Sequence, residues 1–123
     1  HTIRLADALR GGCKNIAAAS YTWTSADAPD PDGEKLRAHC LFLEKHPEAE
    51  YMFIDHQCIP QNYTDEATQQ RVERTEAEQI YFDAMLKGGG INILYLSALV
   101  SAVMNADYGN RFWPCLEFYL STR

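Results

Sequence analysis

Three short apolar runs, Ile16–Trp23, Tyr51–Ile54 and Leu99–Met104, are separated by longer stretches with helical periodicity. Short apolar runs bounded by loops read as buried strands, and strands that alternate with helical crossovers argue for a parallel sheet. The expected class is therefore α/β, a short parallel sheet flanked by helices, in one domain over residues 1–123. The sheet should contain strands 16–22, 51–55 and 99–104, with Ile54 and Val100 buried in its middle. The alanines of the first run would equally suit a helix. Three strands are few for such a sheet, so the chain reads as either minimal or cut short at its C-terminus.

An amphipathic piece over Ile3–Arg10 is stopped by Gly11-Gly12. After the first run, residues 24–33 (TSADAPDPDG) form a loop by turn chemistry. Asp32 is then a plausible N-cap for a helix that buries Leu36, Cys40 and Leu43 and closes near His46-Pro47. Residues 56–63 (HQCIPQNY) read as a loop leaving the second strand. Thr64, with Asp65 and Glu66 behind it, is expected to cap a long helix whose polar first half is solvated. Its second half would bury Ile80, Tyr81, Ala84 and Met85, and Gly88-Gly89-Gly90 breaks it. A short helix at 91–97 precedes the third strand. A last helix spans about 111–121, with Pro114 tolerated in its first turn.

Eleven basic against seventeen acidic side chains leave a formal charge of −6, the wrong balance for a phosphate-backbone binder. No polybasic anchor is present, and the longest weakly polar run, 91–106, is too short and too polar to span a bilayer. With 46% apolar and 23% charged residues, the composition is that of a globular protein. Cys13, Cys40, Cys58 and Cys115 form no CxxC pair, and reduced, mostly buried thiols in a cytoplasmic protein are favoured over disulfides. The expectation is thus no nucleic acid, no membrane insertion and a cytoplasmic location.

Ligands of open parallel sheets bind beyond the C-terminal ends of the strands. Three segments meet that rim: Ser20-Tyr21-Thr22-Trp23, Asp55-His56-Gln57-Cys58, and 105–117 with Arg111 and Glu117. Aromatics with two carboxylates suit a small aromatic, polar ligand such as a nucleotide, although any α/β domain places polar residues there. Other sites fare worse. Asp27, Asp30, Asp32 and Gly33 resemble a calcium loop, but alignment on the glycine puts Ala28 first and His39 where a bidentate Glu is required. His39, Cys40, His46, His56, Cys58 and Cys115 lack zinc spacing, so no metal is expected. Cys58 or Cys115 with a histidine base would suit nucleophilic catalysis, a weak signal from a lone Cys near a His. Gly88–Gly90 has neither the Lys nor the Ser/Thr of a phosphate loop.

Read as one pattern, Ala19-Ser20-Tyr21-Thr22-Trp23, Tyr51-Met52-Phe53-Ile54-Asp55, and Asp107-Tyr108 through Arg111-Phe112-Trp113-Pro114-Cys115-Leu116-Glu117 resemble the Toll/interleukin-1 receptor (TIR) family and its diverged relatives. Phe53-Ile54-Asp55-His56-Gln57-Cys58-Ile59-Pro60-Gln61 is also similar to a stretch of heterokaryon-incompatibility-like proteins. The resemblance covers about residues 16–122. Pro114 stands where the family has Cys, which is displaced to Cys115.

The resemblance implies TIR-like, flavodoxin-like layering and one of two functions. One is cleavage of the nicotinamide–ribose bond of NAD⁺ by the glutamate of a W-x-x-x-E helix, here Glu117, with NAD⁺ as substrate and no further cofactor. The other is a non-catalytic module that self-associates through the loop after the second strand, where Ile59 and Tyr63 would be the exposed interface residues. A nucleoside-handling hydrolase or transferase on a related fold is a third class. In the catalytic reading Ser20, Tyr21, Trp23, Asp55 and Trp113 line the ligand site. Trp113 and Glu117 are four residues apart and so share a helix face.

Overall fold

In the computed structural model, residues 13–26, 28–65 and 67–122 are described, so the expected helix over Ile3–Arg10 lies outside them. Strand β1 (Cys13–Tyr21) is followed by α1 (Glu34–Lys45), β2 (Tyr51–Phe53) and a single turn, α2 (Asp55–Cys58). A hairpin of β3 (Tyr63–Thr64) and β4 (Arg71–Val72) leads to α3 (Glu76–Leu86), α4 (Gly90–Ser97) and β5 (Ala98–Val103). A 3₁₀ turn, Tyr108–Asn110, then leads to α5 (Phe112–Ser121).

The main sheet is parallel throughout, in the order β2-β1-β5, as the alternating pattern requires. Ile16 pairs with Tyr51, and Ala18 lies between Phe53 and Val100. Because β1 is central, its small residues form the buried middle: Ala17, Ala18, Ala19 and Ser20 are all closed to solvent. Ile54 and Val100, expected there, are only half-buried. Val100 sits on an edge strand, and Ile54 lies past the end of β2 as the N-cap of α2.

Side chains alternate across a strand. Ala18 and its partner Val100 pack against Ile59, Ile91, Leu94 and Tyr95, which puts α4 on one face. Ser101, one residue on, bonds His39 of α1 on the other face. Chain travel reverses between the two crossovers, from β1 out to β2 and from β2 back past β1 to β5. Their helices then lie on opposite faces, as connections of one hand require.

Local chemistry explains where the elements depart from expectation. Gly33, at φ 66°, is the N-cap of α1, and the Asp30 carboxylate takes the free N–H groups of Lys35 and Leu36 at 3.2 and 2.8 Å. Leu36 and Cys40 consequently face solvent and His39 faces the sheet. Thr64 starts no helix. Asp65 captures the N–H groups of Ala67 and Thr68 at 3.0 and 2.7 Å, which turns the chain back so that Tyr63 pairs with Val72. The helix begins at Thr75, whose hydroxyl accepts from Glu78 N while the Glu78 carboxylate accepts from Thr75 N, a capping box. That start turns Phe82, Met85 and Leu86 inward and leaves Ile80 and Tyr81 exposed. Gly89, at φ 77°, makes the break before α4 that the glycine run predicts.

Of the cysteines only Cys13 is buried. Cys40, Cys58 and Cys115 are exposed, and all four are free. No helix among the described residues is long and apolar enough to cross a membrane.

Candidate functional site

A cavity of about 630 Å³ opens at the C-terminal rim of the sheet. The end of β1 contributes Tyr21, Thr22 and Trp23. The first residue of α2 contributes Asp55, and α3 and α4 supply apolar wall through Phe82, Leu86 and Ile91. The N-terminal half of α5 closes the remaining side with Arg111, Trp113 and Glu117. This is where a parallel sheet whose strand order reverses leaves a crevice between neighbouring loops.

Helix α5 is oriented against its own hydrophobicity. Phe112 is 72% exposed and Trp113 48%, with Phe118 and Tyr119 also outside, whereas Glu117 is only 8% exposed. Pro114, in the first turn where it forfeits no helical hydrogen bond, is buried beside the carboxylate. Burial pushes the Glu117 carboxyl up to about 7, and the charge of Asp55 adds to this. The Ser20 hydroxyl beside it acts in the opposite sense, favouring the charged form, and the Tyr95 hydroxyl is its other neighbour. Both hydroxyls are anchored: Ser20 Oγ lies 2.6 Å from the Tyr108 hydroxyl, and Tyr95 donates to the Ala19 carbonyl at 2.7 Å. Glu117 therefore stands on a fixed polar floor at the end of β1.

Asp55 is the second carboxylate. Burial raises it above the usual carboxylate range, opposed by the His56 N–H, which donates to Oδ1 at 2.7 Å, and by the Trp23 indole. Trp23 is held by the His56 ring, edge-on at 5.2 Å. The Tyr21 phenol is raised by burial and then by the charges of Asp55, Asp30 and Glu117, so it stays neutral and can donate. Two carboxylates with depressed acidity in an aromatic-walled cavity can bind an electron-poor ring and stabilise positive charge that develops on a sugar.

Among the expected site residues, Tyr21, Trp23, Asp55, Trp113 and Glu117 all line this cavity. Ser20 does not. It is 1% exposed and lies beneath Glu117 as a supporting hydroxyl. Ile59 is not presented at the surface either: at 3% exposure it belongs to the core against Ala18 and Tyr95. Its loop is short and held down, with Arg74 Nε donating to the Pro60 carbonyl at 2.6 Å. Tyr63 is 56% exposed on β3. Nothing in the sequence singles out Tyr95, because a helical apolar run does not mark a hydroxyl that will reach the sheet. Tyr108 was within reach, as part of the Asp107-Tyr108 segment.

A smaller cavity, about 200 Å³, lies on the α1 side and shares Tyr21 with the larger one. His39, one of its lining residues, is 2% exposed, and its Nδ1 is 2.8 Å from Ser101 Oγ. Nε2 is closed off without a partner among the described residues, and burial holds the imidazole below its ordinary value. Among the described residues no group of three or more His, Cys, Asp or Glu side chains could hold a metal ion.

Set against family models, curated proteins and solved structures, the chain matches none of them.

Proposed function

We propose that this chain is a TIR-like enzyme that cleaves the nicotinamide–ribose bond of NAD⁺, with Glu117 as the catalytic carboxylate. The observation that carries the reading is the inward turn of Glu117, a buried acid in the wall of a nucleotide-sized cavity on a helix that leaves Phe118 and Tyr119 in solvent. It coincides with the W-x-x-x-E pattern of Trp113 and Glu117.

In this reaction the C1′–N bond breaks and its electron pair leaves with nicotinamide, neutralising the pyridinium. Positive charge passes to C1′ and the ribose ring oxygen. The ionised Glu117 stabilises that charge in a site with little water, where a fixed carboxylate is worth more than in solvent. Asp55 adds a second negative group on the same cavity. A water then attacks C1′ and its proton goes to Glu117 or to solvent, leaving ADP-ribose. Tyr21, Trp23 and Trp113 offer aromatic faces to the bases. The reading includes a cytoplasmic location, where NAD⁺ is available.

The test is nicotinamide release by wild type and Glu117→Gln at high protein concentration. Loss of one well-placed electrostatic group costs on the order of 10²–10³ in rate. Undiminished release by a folded Glu117→Gln protein removes Glu117 from the mechanism. A second reading, non-catalytic self-association, rests on the exposed Tyr63 alone now that Ile59 is in the core. Wild type that assembles but releases no nicotinamide would favour it.

A further inference from the structure

The larger cavity is electrically polarised. Of its carboxylates Glu117 is buried and Asp55 half-buried, whereas Arg111 is exposed and is the one cation among the described lining residues. Arg111 makes no ion pair or side-chain hydrogen bond among the described residues. In particular it does not neutralise Glu117, six residues on in the same helix. At 1.5 Å per residue the two backbone positions are roughly 9 Å apart along the axis. Arg111 is also the N-cap of α5, and no side chain caps that end. The first N–H groups of the helix, on Phe112 and Trp113, are at its positive end and belong to the two residues that follow Arg111 in the chain.

A ligand matched to this arrangement carries positive charge at one end and an anion at the other. We propose that Arg111 is a phosphate anchor, so that the site takes N-ribosyl nucleotides bearing a 5′-phosphate in preference to the corresponding nucleosides. The pyridinium and the developing oxocarbenium lie toward Asp55 and Glu117. The phosphate lies at the mouth, between the Arg111 guanidinium and the start of α5. A planar guanidinium suits this because it offers paired donors to phosphate oxygens. The exposure of Arg111 keeps the effect moderate and sensitive to salt. This inference rests on the cleavage reading for its substrate but not for its binding contact.

The experiment compares AMP, adenosine and inorganic phosphate as ligands of the wild-type protein, by calorimetry at low ionic strength. Exposed charge pairs of this kind contribute about 0.5–1 kcal/mol, which converts to roughly two- to fivefold tighter binding of AMP than of adenosine. Arg111→Gln should bring the ratio close to one, and Arg111→Lys should retain part of it. Equal affinity for AMP and adenosine, a ratio that survives Arg111→Gln, or no binding of either overturns the proposal. So does inorganic phosphate binding as tightly as AMP, which marks a general anion site. Nicotinamide release from NAD⁺ is scored separately. Release without phosphate discrimination defeats the anchor alone, and discrimination without release defeats the cleavage reading alone.

Discussion

Glu117 and His39 are buried titratable groups on opposite faces of one three-stranded sheet, and they do different things. Each is pushed toward its neutral form, first of all by burial. His39 borders the smaller cavity, where Nδ1 meets Ser101, Nε2 has no partner among the described residues, and the ring stands against Tyr21 at 5.4 Å. Glu117 instead borders a cavity of about 630 Å³, with hydroxyls beneath it and aromatics beside it. A perturbed acidity is thus common to both faces. The size of the neighbouring cavity, large enough for a nucleotide only beside Glu117, separates a packing residue from a reacting one.

The largest effect expected is on the Glu117 side, the loss of roughly 10²–10³ in nicotinamide release on Glu117→Gln. A comparable loss on His39→Ala would erase the contrast between the two faces. His39→Ala should act on stability instead, costing about 3 kcal/mol in denaturant unfolding through a cavity and a stranded Ser101 hydroxyl. Release per folded molecule should be unchanged.

A smaller effect sharpens the comparison from the other direction. Folded Glu117 holds its proton up to about pH 7, while the unfolded chain releases it near its ordinary value. Between those limits the folded state binds more protons than the unfolded state. Stability therefore falls as pH rises through the window, and the loss is complete above about 7. Glu117→Gln removes that penalty and should stabilise the protein by about 2 kcal/mol at pH 8, with the gain shrinking toward pH 4. Urea unfolding at both pH values measures it. An equal effect at pH 4 and pH 8 would mean that folding leaves the acidity of this carboxyl unshifted.

The strands were legible because Ile16–Trp23, Tyr51–Ile54 and Leu99–Met104 are short, apolar and bounded by turns, and parallel pairing followed from the helical stretches between them. The start of α3 was not. Thr64-Asp65 and Thr75 both offer N-caps, and the choice turned on the Asp65 side chain closing a turn while Glu78 completed a capping box at Thr75. The site was legible as a rim, because Asp55 and Glu117 follow strand ends. The exchange of Ile59 from surface to core was not, since it depends on the Ile59 side chain meeting Tyr95 from a helix more than thirty residues away. His39 was hidden for the same reason: its partner Ser101 is 62 residues distant.

Glu117 is assigned the role of an ionised carboxylate whose burial pushes its pKa up to about 7. The pH dependence of kcat/KM for nicotinamide release tests it most directly, because that parameter reports the free enzyme's ionisations. The rate should climb tenfold per pH unit on the acid side, bend near pH 7 and stay flat above it. A profile already flat between pH 5 and pH 8, or one that falls as pH rises through 7, would contradict it.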